Sequence, residues 1–69
     1  MQTNEKLIEV LNGLIEINHD RVNGYEKAVE ETKDLDMDLK AIFRSMANDS
    51  VKYATELSHL VSGLGGTPA

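Results

Sequence analysis

Apolar residues return every seven positions across the N-terminal half of this chain, a recurrence that restricts it to helices packed along their length. One register runs through Ile8, Ile15, Val22 and Val29. A second runs through Leu11, Asn18, Tyr25 and Thr32, and a third through Leu7, Leu14, Arg21 and Ala28. The three lie side by side on a helix and form one continuous face. Thr3 or Asn4 can cap its start, so the pattern predicts a first helix over about residues 4–33, roughly 45 Å long. Val10 and Ile17 widen the face to roughly 160° of arc at 100° per residue. One partner helix cannot cover so broad a stripe, so the functional particle is expected to contain more than two helices.

The run from Lys33 to Asp38 alternates acids with apolar residues and predicts the break, with Asp36 as the cap of the next helix. That helix is expected over about residues 37–62. Leu39, Met46, Tyr53 and Leu60 form one register, flanked by Phe43, Ser50 and Leu57 and by Ala47, Ala54 and Val61. Gly63 reads as a left-handed stop, and Gly65-Gly66-Thr67-Pro68 cannot extend a helix. Residues 63–69 are therefore expected to be a flexible tail. A short connection makes the helices antiparallel neighbours. The chain thus reads as a single all-α, antiparallel two-helix hairpin that completes a four-helix bundle by self-association.

Composition narrows the function. At 69 residues without cysteine, the chain is at the size where a lone core is marginal, and neither a disulfide nor a thiolate metal site can supplement it. Twelve acidic against seven basic residues, a formal charge of −5, disfavour nucleic-acid phosphates. Only Phe43, Tyr25 and Tyr53 are aromatic, which leaves little for base stacking. No apolar run approaches the ~20 residues needed to cross a bilayer, and none has the form of a secretion leader. The expectation is a cytoplasmic protein without nucleic-acid or membrane partners. Ser45, Ser50, Ser58 and Ser62 lack a neighbouring base that would activate them, so a non-enzymatic, self-associating structural module is the expected role.

Particular residues carry a family resemblance. Leu11-Asn12-Gly13-Leu14-Ile15, the segment Asp20 to Ala28 with its Gly24-Tyr25 pair, Leu39-Lys40-Ala41-Ile42-Phe43 and the terminus Leu64-Gly65-Gly66-Thr67-Pro68 together resemble a bacterial ferritin-like, four-helix-bundle family of unknown function. The resemblance spans essentially the whole chain. Members of that family continue past the glycine linker with a second helical pair. The resemblance therefore implies either a missing second pair or a homodimer in which another hairpin takes its place.

Ferritin-like bundles can hold two metal ions with a Glu and a Glu-x-x-His from paired helices. Glu16 with His19 and Glu56 with His59 match that spacing, so an iron or manganese site of oxidase or storage type is the alternative function. Helical geometry places Glu16 nearly opposite the apolar stripe, His19 off its centre, His59 on the outer face and Glu56 on a flank. Surface positions are thus the simpler reading, with no resident cofactor. A second polar set, Asn18, Arg21, Tyr25, Asp49, Ser50 and Tyr53, is expected to form a buried belt. Folding about Leu35 brings Arg21 toward Asp49 and Ser50 as an ion pair with hydroxyl neighbours, and Asn18 toward Tyr53. Gly24 costs about 1 kcal/mol inside a helix relative to alanine; a close neighbouring helix or an aromatic ring from across the hairpin would offset it, and a kink is the competing explanation.

Overall fold

The structure, a computed structural model, describes residues 2–32 and 36–69. Two helices, α1 (Gln2–Glu31) and α2 (Met37–Gly63), lie side by side as an antiparallel hairpin with extents of 53 × 14 × 13 Å. α1 begins and ends about two residues earlier than expected, so Thr3 and Asn4 lie within the helix and do not cap it. Most of the expected break, Lys33 to Leu35, falls outside the described residues. Asp36 holds the N-cap position of α2 as expected. Its side chain makes no capping hydrogen bond there, and its carbonyl accepts from Lys40 N–H at 3.0 Å.

The seam between the helices is narrow. Ile15 and Val61 are fully buried, Ala47 and Ala54 nearly so, and the polar Asn18 and Ser50 are buried among them. Ile8, Leu11, Val22, Phe43 and Leu57 are half-buried. Completely hiding a branched aliphatic side chain contributes about 1.5–3 kcal/mol, so two such residues make a thin core.

The C-terminus ends differently from its sequence reading. Gly63 is the last helical residue, and Gly65 takes the left-handed backbone, with φ +84°. Gly65 N–H donates to Ser62 O at 3.1 Å and Gly66 N–H to Val61 O at 3.0 Å. These are the paired bonds of a Schellman stop, and they satisfy carbonyls that the helix end leaves open. The tail then turns back onto α1. Asn12 Nδ2 donates to Thr67 O at 3.1 Å, and Ala69 N–H donates to Asn12 Oδ1 at 2.9 Å. A side chain at Gly66 would meet Ile8 Cδ1 and Cγ2 at 2.9 Å and Val61 Cγ1 at 3.0 Å, so Ile8 and Val61 would have to shift to admit one. Residues 64–69 thus lie as a clasp across the open end of the hairpin.

Candidate functional site

Helical geometry divides the hairpin's surface into two flanks on either side of the buried seam. On one flank, His19, Val22 and Asn23 of α1 face Val51, Ala54, Thr55, Ser58 and His59 of α2 across an open groove of about 510 Å³. The clasp lies on this same flank, over Ile8 and Asn12. The opposite flank carries Leu7, Val10, Leu14 and Ile17 from α1 and Leu39, Ile42, Met46, Tyr53 and Leu60 from α2, all exposed. In an antiparallel pair the side of each helix away from the groove falls on one side of the hairpin, so these residues form a single apolar face.

The groove has little reactive chemistry. Ser58 Oγ donates to Ala54 O at 2.8 Å, and Thr55 Oγ1 donates to Val51 O at 3.0 Å. Both hydroxyl protons are committed to the preceding turn of their own helix, and neither is presented to a base. His19 and His59, expected on separate outer positions, share this groove. Glu16 and Glu56 are exposed and do not line it. Among the described residues, no three histidine, aspartate or glutamate side chains are grouped so as to hold a metal ion. A di-metal carboxylate centre needs more ligands than that, so the described residues of one hairpin do not by themselves supply it.

The expected polar belt divides as well. Asn18 and Ser50 are buried, at 7% and 6% exposure, and Tyr25 is half-buried. Arg21, Asp49 and Tyr53 are exposed, with Tyr53 at 58%. Within the single hairpin these three positions lie outside the buried seam, and Arg21 and Asp49 form no ion pair with each other. Lys27 pairs with Glu31 at 4.0 Å on the surface of α1. The reason is angular: Arg21, Asp49 and Tyr53 sit on the apolar flank, beyond the reach of the seam. Asn18 Nδ2 donates to Leu14 O at 2.9 Å, while its Oδ1 is buried without a partner. Gly24 also has open space where a Cβ would be, so neither a helix nor a ring of this hairpin explains it.

Sequence reasoning missed Asn12, whose amide signals nothing locally, and it missed the groove. The groove's signal was present in the helical phases of His19 and His59, which share a flank once the helices are antiparallel. Among the described residues, no helix is long and apolar enough to cross a membrane.

Fold and surface together define an all-α helical-hairpin protein with one grooved flank that carries His19, Asn23, Thr55, Ser58 and His59 and one apolar flank. The chain belongs to the family described as Domain of unknown function (DUF2383), which matches residues 6–69. None of the curated proteins and none of the solved structures matches it.

Proposed function

We propose that this protein is a self-associating structural module, in which the apolar flank of one hairpin packs on that of a second copy to give a four-helix bundle of the ferritin-like kind. The observation that carries this reading is the apolar flank itself. A contiguous apolar surface of this size on a small chain marks an interaction site.

The surface area supports the same reading. A compact 7.6 kDa protein is expected to expose ~4,300 Å², whereas the hairpin exposes 5279 Å². The excess, roughly 1,000 Å², is close to the ~800 Å² that each partner contributes to a stable interface of standard size. A second copy is the favoured occupant because the excess area matches one partner's share of such an interface, while residues 64–69 are engaged on the other flank. The role needs no reaction, and the groove's hydroxyls are not arranged for one.

The test is sedimentation together with thermal unfolding over a hundredfold range of protein concentration. A dimer whose Tm rises with concentration is expected, because only the folded state associates. A fully helical monomer at tens of micromolar would refute the proposal.

A further inference from the structure

We infer, resting on the self-association just proposed, that Arg21 of each copy seats against Tyr53 and Glu56 of the other, its guanidinium on the Tyr53 ring and paired with the Glu56 carboxylate. The argument starts from the register of the two helices. Val22 and Asn23 of α1 line the groove opposite Val51, Ala54 and Thr55 of α2, and Ile8 lies beside the backbone of Gly66. Both helices rise equally per residue, so Arg21 stands level with about residue 54 and Gly24 level with Tyr53.

Two hairpins that share their apolar flanks can be related by a two-fold axis in one of two ways. An axis parallel to the helices keeps every residue at its own height and puts α1 of one copy against α2 of the other. An axis across the helices turns the second copy end over end and puts α1 on α1 and α2 on α2. Only the first brings Arg21 to the second copy's Tyr53, within about one residue rise in height. Glu56 follows Tyr53 by three positions, so the two are neighbours on α2, and both lie outside the groove lining. The same register sets the exposed Leu60 between the heights of Leu14 and Ile17, which continues the apolar contact beside the charged one.

This contact resolves what the single hairpin leaves open. Arg21 is exposed on an otherwise apolar flank, and among the described residues neither it nor Glu56 has an ion-pair partner. Tyr53 leaves 58% of its surface to solvent. Nothing lies within 4 Å of the place a Cβ would take on Gly24, so the Tyr53 ring of a second copy has room close to the α1 backbone beside Arg21. A planar guanidinium stacks on an aromatic face and keeps its edge free to bond a carboxylate. A C2 interface is self-complementary, so the contact occurs twice.

The symmetry provides the test. Arg21→Glu and Glu56→Arg each place like charges opposite one another at both contacts of their own homodimer. Mixing the two variant proteins restores opposite charges at both contacts of the heterodimer. Each variant alone is expected to dissociate about tenfold or more readily than wild type, while the equimolar mixture returns to near wild-type dimer. Tyr53→Ala is expected to weaken the dimer about tenfold or more, whereas Tyr53→Phe, which keeps the ring, stays within about threefold of wild type. All three positions are exposed in the hairpin, and far-UV circular dichroism checks that the variants fold. If wild type is a dimer but the charge variants associate normally, the mixture fails to recover, or Tyr53→Ala associates as well as Tyr53→Phe, this contact is overturned and self-association stands. A monomeric wild type overturns both.

Discussion

The two flanks of the hairpin are built from the same two helices and differ in what each leaves to the solvent. On the groove flank, hydroxyls bond to their own helix, and the tail folds over Ile8 and is held there by Asn12. On the other flank, Leu14, Ile17, Met46 and Tyr53 stand exposed. One flank is finished by its own sequence and the other is not. The difference shows that exposure alone does not identify an interface: Val51 on the groove flank is 49% exposed and Ile17 on the apolar flank 47%. Continuity with other apolar side chains separates the two, because a single exposed aliphatic residue is ordinary on any protein surface.

That pair of residues offers the largest test. Ile17→Glu and Val51→Glu make the same chemical change at nearly equal exposure. If the apolar flank is buried between copies, Ile17→Glu places a carboxylate in a desolvated site, costing about 3 kcal/mol or more of association free energy. The concentration dependence of Tm should then disappear. Val51→Glu should leave both dimer and Tm within about 0.5 kcal/mol of wild type. Equal effects from the two substitutions would erase the distinction between the flanks.

The clasp is the next element to break. Gly66→Ala introduces a Cβ within 3.0 Å of Ile8 and Val61, and such overpacking costs about 1–3 kcal/mol. Urea unfolding at fixed protein concentration should register the loss. The effect should fall on hairpin stability and leave the dissociation constant of the folded dimer unchanged, since Gly66 belongs to the finished flank. A change in dimer affinity at unchanged stability would assign the clasp to the wrong side.

How much of this was legible in the sequence follows from which interactions are local. The helices were, because heptad recurrence and the breakers near residues 33–38 and after 63 are local signals. The N-cap position of Asp36 was readable for the same reason. The clasp was not. It depends on one amide, Asn12, reaching residues at the far end of the chain, and on a glycine whose close packing against Ile8 appears only once both helices are in place. The polar belt was half legible. A broad stripe on the wheel does not show which part faces the chain's other helix and which part remains outside. The seam took Ile15, Asn18, Ser50 and Ala54, and it left Arg21, Asp49 and Tyr53 beyond its edge.

Asn18 lies on the seam both flanks share, and its prediction is the smallest. Its Nδ2 donates to Leu14 O, a carbonyl that the ordinary helical bond also serves, while its Oδ1 is enclosed with no donor. A buried acceptor left unpaired costs about 1–3 kcal/mol, and a redundant bond to the backbone returns less than that. Asn18→Leu nearly conserves shape and exchanges the orphan for apolar contact within the buried seam. It is therefore expected to stabilise the hairpin by about 1 kcal/mol, read as a rise in urea midpoint with unchanged slope. A loss of stability would mean that Oδ1 has a partner in solution, such as an ordered water shared with Ser50, and that the seam is wetter than its neighbouring flanks suggest.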